Sequence, residues 1–326
     1  MFKYKKKLKI LLFIILQSIF SYILLSYYTG GDAEVYSKFY NEINNLSLFS
    51  TFSISFYRIT SFEPITIFLF WIFSYYGIKK IFFSLILNII LVIGILKIIR
   101  KYKIQNFIAF LLFTNFYLIV LLTAAERLKI SYIFIIWGFY FGSKYQIYFY
   151  FLSIFSHFQN IILFISIYIS KLFSFREKKV YLKLVDLYIL FGIIFLMILI
   201  AINLNYILDD LNLIKYIKSK VPSTIQPISS IYKLLLLNIL MFFVIRKKMI
   251  STQILFIVFY IFILILGNHR VNMIAFTAVL SLLITEGKIK HPLVILLLLY
   301  FSLSSVPYIY SIFTSNHGFD YLLWKL

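Results

Sequence analysis

Cysteine is missing from all 326 residues, so no disulfide framework holds this chain and no thiol chemistry operates in it. A soluble domain is missing too: the longest polar stretch is about the first loop, residues 29–64. The apolar runs do not alternate with period two, which argues against a transmembrane barrel. There is no glycine-rich nucleotide loop, no acidic pair of the DxD kind in a soluble domain, and no set of histidines spaced for a metal. Neither a metal nor another cofactor is therefore expected. No internal repeat stands out, and no linker marks a domain boundary. Acid is scarce, with 11 Asp and Glu against 32 Lys and Arg.

What fills the space is hydrocarbon. The chain is 63% hydrophobic and 21% aromatic, with a mean hydropathy of +0.97. A usual apolar share is about 45–50%, and here the long runs recur, so an all-α polytopic integral membrane protein is predicted. A net charge of +21 could indicate a nucleic-acid binder. The lysines, however, sit in short clusters between apolar runs, which is the pattern of cytoplasmic loops. No nucleic-acid partner follows. The richness in Ile, Phe, Lys, Asn and Tyr points to an AT-rich bacterial genome.

Those clusters set an expected topology within a single membrane domain, 1–326. Lys3, Lys5, Lys6, Lys7 and Lys9 precede an apolar run, Ile10–Tyr28, that has no small-residue cleavage pattern. It reads as a retained first helix with a cytoplasmic N-terminus. An outer loop, 29–64, follows. Ile65–Tyr76 is too short to span, so Pro64–Gly77 reads as a re-entrant or interfacial helix, with Pro64 in its first turn. Runs Ile81–Ile99, Ile104–Leu122, Leu128–Phe141, Tyr145–Ser156, Phe158–Ser170 and Leu184–Leu204 then alternate in direction. A second outer loop, 205–227, holds Asp209, Asp210, Lys215, Lys218 and Lys220. Ile228–Ile245, Ile254–Leu266, Val271–Thr285 and Pro292–Tyr310 complete about 11 spans plus the partial helix. Arg100–Lys103, Lys171–Lys183 and Arg246–Lys248 fall on the cytoplasmic side.

In this topology the outer ends collect Asp32, Glu63, Glu126, Arg127, His157, His269, Arg270 and Asn272. The cytoplasmic ends collect almost only Lys and Arg. The motif Gly267–Met273 places Asn268, His269, Arg270 and Asn272 between two apolar runs. A charge at a helix centre in lipid costs at least about 2.5–3.5 kcal/mol, so such residues face a cavity or the boundary. Two arginines near the outer leaflet suit a phosphate or pyrophosphate, whose oxygens match the guanidinium fork. Each residue also has a plainer role open to it. Glu126 can neutralise Arg127, Glu63 can be a helix-start acid, His157 can be a satisfied core histidine, and Asp32 can be a turn residue. His291 and His317 read as incidental.

The order of these features resembles the EpsG family of bacterial polysaccharide polymerases, related to the Wzy-type O-antigen and capsule polymerases. The resemblance covers roughly Met1–Ile284. It rests on Gly31-Asp32 with Tyr36, on Phe62-Glu63-Pro64 before a partial helix, and on Arg127 opening the next helix. It continues with Ser156-His157 after an aromatic run and His269-Arg270-Val271-Asn272-Met273 late in the chain. The family's usual Arg followed by glutamine or serine is Arg127-Leu128 here, a departure at that helix entry.

The resemblance implies a GT-C-like membrane glycosyltransferase in the bacterial cytoplasmic (inner) membrane, its site facing outward. The glycan donor and acceptor would both be linked to undecaprenyl pyrophosphate, with membrane lipids, a flippase and a chain-length regulator as companions. Asp32, His157 and His269 are the candidate bases, Asp32 first among them because the family places an acid in that loop. Arg127 and Arg270 would bind the pyrophosphate, with Glu63 and Asn272 beside them. The alternatives from other classes are a lipid-linked oligosaccharide flippase or other transporter, and a membrane acyltransferase that modifies polysaccharide.

Overall fold

The computed structural model describes residues 2–59, 61–174, 231–245, 248–266 and 268–318. Among these residues all regular structure is helical. The second outer loop at 205–227, the expected span Leu184–Leu204, the basic residues Arg176–Lys183 with Arg246 and Lys247, and Gly267 lie outside them.

The helices in chain order are α1 Phe2–Tyr27, α2 Asp32–Glu42, α3 Leu48–Ile59, α4 Pro64–Tyr75, α5 Lys80–Lys101, α6 Asn106–Phe113, α7 Phe116–Thr123 and α8 Glu126–Phe141. There follow α9 Ser143–Ser156, a 3₁₀ turn Phe158–Asn160, α10 Ile161–Ser174, α11 Tyr232–Val244, α12 Met249–Leu266, α13 Asn268–Thr285, α14 Pro292–Leu303 and α15 Ser305–Ser315. Three stretches are long and apolar enough to cross a membrane: Leu8–Tyr27, Lys80–Lys101 and Pro292–Ser315. Counting two bent pairs as single spans gives up to five among the described residues. These pairs are α3 with α4, bent by 111°, and α6 with α7, bent by 48°.

Two expected elements change. The stretch expected as the first outer loop, 29–64, carries two helices of its own, α2 and α3. Ala33, Tyr36, Phe39 and Tyr40 are buried at helical spacing, which gives α2 one apolar face and a reason to fold. The run Ile104–Leu122 breaks at Thr114-Asn115. There Asn115 caps α7 by accepting from the Tyr117 amide at 2.9 Å, an alternative to continuing α6. Every residue of α7 is buried, so this short helix is core on all sides. The expected partial helix after Pro64 and the break at His157 both stand, with α4 beginning at Pro64 and α9 ending at Ser156.

The chain groups into two compact units: residues 1–161 with 280–326, and residues 162–279. In the first, α8 packs between α5 and α9, α9 reaches α4, and α4 rests on α2 and α3. On its other side α5 meets α1, while α14 and α15 pack on α7. Glycines let the central three helices approach closely. A Cβ on Gly94 of α5 would lie 2.8 Å from Ile136 Cγ2, and one on Gly138 of α8 would lie 2.8 Å from Phe149 Cβ. Small residues at helix contacts are how apolar helices gain packing where the surroundings are equally apolar. In the second unit α11 packs against α12.

Candidate active site

The first unit gathers its strongest polar side chains where α2, α4, α8 and α9 begin or end. Glu63 immediately precedes Pro64, the first residue of α4, but its carboxylate does not cap that helix. It turns instead to three partners. His157 Nδ1 lies 2.6 Å from Oε1, Arg127 Nη1 donates to Oε2 at 3.1 Å, and Ser61 Oγ donates to Oε2 at 2.8 Å. Glu63 is 4% exposed and His157 3% exposed. These residues are 64 and 94 positions apart in the chain, so tertiary packing assembles the group.

Each member is held from behind. Arg127 Nε donates to Tyr36 Oη at 2.7 Å, and Tyr36 stacks on Phe70 with centroids 5.8 Å apart. Arg127 is the second residue of α8, where the positive end of the helix dipole disfavours a cation, so the Glu63 carboxylate offsets a local cost. His157 occupies an extended position (φ −157°, ψ 106°) between α9 and the 3₁₀ turn. Thr66 Oγ1 of α4 donates to the Ser156 carbonyl at 2.7 Å, and Asn160 bonds Ser131 and Ser153, which fixes that break. On the far side of the imidazole, Nε2 lies 3.2 Å from Gln159 Oε1.

Both ring nitrogens thus face acceptors; in the neutral tautomer whose proton Glu63 holds on Nδ1, Nε2 can take a proton once the Gln159 amide is displaced. Arg127 spends Nε on Tyr36 and Nη1 on Glu63, and its Nη2 has no hydrogen-bond partner among the described residues. An imidazole, a carboxylate that meets one of its nitrogens and a guanidinium with donors left over thus stand together in a largely buried setting.

Comparison with family models, with curated proteins and with solved structures finds no match. The site therefore speaks through its chemistry alone.

Of the residues expected in the site, Glu63, Arg127 and His157 come together. Glu63 does stand at the start of α4, as the plainer reading has it, and its carboxylate also joins this group. Asp32 is exposed as the first residue of α2 and makes no hydrogen bond or ion pair among the described residues. Gly31 before it takes φ 59°, a conformation that glycine adopts at little cost. Its surroundings are the buried Tyr28 phenol and His317. The amides of Thr29 and Gly30 both donate to the Asn316 carbonyl, at 3.1 and 3.0 Å. His317, incidental in the sequence, thus lies beside the Asp32 loop. Arg270 and Asn272 belong to the second unit, where Arg270 is exposed and Asn272 is 2% exposed. The His269 side chain lies outside the described residues.

Glu126 does not neutralise its neighbour Arg127. Its Oε1 meets Lys80 Nζ at 2.9 Å and accepts from Ser84 Oγ at 3.0 Å. Lys129, fully buried one helical turn further on, donates to the Leu122 carbonyl at 3.2 Å. Lys80, Ser84 and Lys129, with Ser61 and Gln159 in the first cluster, carry no mark in the sequence that sets them apart as a group. Lys129 carried a usable signal, being a cation inside the apolar run Leu128–Phe141 and three residues after an acid. Removing the acid from a buried pair strands the cations, a loss of about 3–5 kcal/mol. Glu126→Ala is therefore expected to lower the thermal unfolding midpoint of the detergent-purified chain sharply. Lys129→Met, which removes a buried charge, is expected to leave it unchanged or raise it.

Proposed function

We propose that the chain is a bacterial membrane glycosyltransferase that polymerises undecaprenyl-pyrophosphate-linked oligosaccharide repeat units. The reading places it in the cytoplasmic membrane with about 11 spans in a GT-C-like arrangement, its site on the outer face. The observation that carries the proposal is the buried Glu63–His157 pair set against Arg127. Joining two lipid-linked glycans asks for two things at once. The acceptor hydroxyl must lose its proton as its oxygen bonds the anomeric carbon of the donor. The bond from that carbon to the pyrophosphate must break, and the pyrophosphate leaves with the electron pair.

His157 serves the first need. With Nδ1 held by Glu63, the acceptor hydroxyl takes the place of the Gln159 amide at Nε2 and gives its proton there. Arg127 serves the second, its unused Nη2 donors meeting the charge that develops on the departing phosphate oxygens. Tyr36 and Glu63 keep that guanidinium in place, so it need not reorganise during the reaction. Asp32, exposed one helical turn before Tyr36 on α2, is proposed as a second group able to receive the acceptor.

The test is glycan length. Cells that make this protein are expected, once its coding sequence is deleted, to lose high-mass surface glycan and to accumulate single repeat units on lipid carrier. Glycan of unchanged length would overturn the proposal, as would loss of glycan without accumulation of lipid-linked units.

A further inference from the structure

At the other end of α5 from Lys80 lies a groove of about 1120 Å³ between α1, α5, α6, α14 and α15. That is above the range of about 300–1,000 Å³ usual for small-molecule pockets. Its walls are mostly apolar, but one end is rimmed by Lys9, Arg100 and Lys103. No acidic residue lines it, and none of the three cations has a carboxylate partner among the described residues. The buried cations Lys80 and Arg127 of this unit, by contrast, meet the carboxylates of Glu126 and Glu63. Gln17 lines the groove further along α1, and its buried Nε2 has no hydrogen-bond partner.

The dimensions fit one kind of occupant. Lining residues on α1 run from Lys9 to Phe20, about 16 Å of helix. One leaflet's hydrocarbon is about 15 Å deep, half of a core of roughly 30 Å. A cationic mouth at one end of a leaflet-deep apolar groove complements a phosphate carrying an acyl chain. We infer that this groove binds one anionic glycerophospholipid, its phosphate at Lys9, Arg100 and Lys103 and one acyl chain along α1 past Gln17. Basic pockets between membrane helices recognise lipid phosphates by this charge complementarity. The mouth and the Lys80 end of α5 are separated by about 30 Å of helix, so the lipid is a resident of the fold and not the glycan carrier at Glu63. The inference does not depend on the proposed reaction.

Native mass spectrometry of the detergent-purified chain, with phosphatidylglycerol or phosphatidylcholine added, tests it. Phosphatidylglycerol is expected to stay bound with about tenfold preference, and glycerol phosphate at the same concentration should not displace it. Arg100→Gln with Lys103→Gln changes exposed residues only and should abolish the preference without shifting the thermal midpoint. Ala109→Trp, which fills the groove, should remove binding of both lipids. Equal retention of the two lipids by the wild-type chain would overturn the inference, as would an undiminished preference in the double glutamine variant. Displacement by glycerol phosphate would do so too, since it marks a phosphate site without a chain.

Discussion

An Arg127→Lys protein is expected to fold and to extend glycan at roughly one hundredth of the wild-type rate or less, the scale seen when one transition-state donor is lost. Lysine keeps the charge beside Glu63 but replaces a planar fork with a point donor on a flexible stem. It can satisfy the carboxylate or reach a departing phosphate, whereas arginine does the first through Nη1 while Nη2 remains for the second. The comparison variant is Tyr36→Phe, which removes the acceptor at Nε and leaves the fork itself intact. It is expected to lose far less. Polymer length on gels, read beside the unfolding midpoint, separates the two effects. Wild-type length in Arg127→Lys would mean that the guanidinium is structural and that the leaving group is stabilised elsewhere.

The second large effect separates the bases. His157→Ala is expected to stop chain extension and to let lipid-linked repeat units accumulate, a loss of about 10²–10⁴-fold for removal of a general base. Glu63→Gln retains an oxygen for the imidazole but not the negative charge that holds it, so it is expected to be intermediate. The family resemblance favours Asp32, and an inactive Asp32→Asn beside an active His157→Ala would transfer the role to that loop. The geometry favours the histidine, which is buried and oriented, over an exposed carboxylate with no hydrogen-bond partner among the described residues. If all three variants extend glycan normally, the acceptor needs no protein base at this site.

Individual site residues were easier to find in the sequence than their pairings. Glu63, Arg127 and His157 each interrupt or bound an apolar run, and an ionisable group in such a place draws notice because its burial costs so much. Which acid meets which cation is another matter. Adjacent helical residues do not face each other, so Glu126 and Arg127 point to different neighbours. Only packing decides that Lys80 takes the first and Glu63 the second. Ser61 and Gln159 escaped notice because a serine or glutamine near a helix end is ordinary. The division of Ile104–Leu122 also escaped, since apolar length alone does not register a capping asparagine. Lys129 escaped for the opposite reason: a single cation was absorbed into a run judged by its average.

The glycines between the central helices bear on more than packing. Gly94 brings α5 against α8, and Gly138 brings α8 against α9. The same three helices carry Lys80, Arg127 and, just past the end of α9, His157. Gly138 is eleven residues from Arg127, about 16 Å along one rigid rod. A methyl group at either glycine would wedge two rods apart, and a wedge applied at one end tilts the other. The spacing between the proposed base and the proposed cation is thus set in part at a dry contact that touches no substrate. Substitutions there would act on catalysis as misalignment, at a distance from every reacting atom.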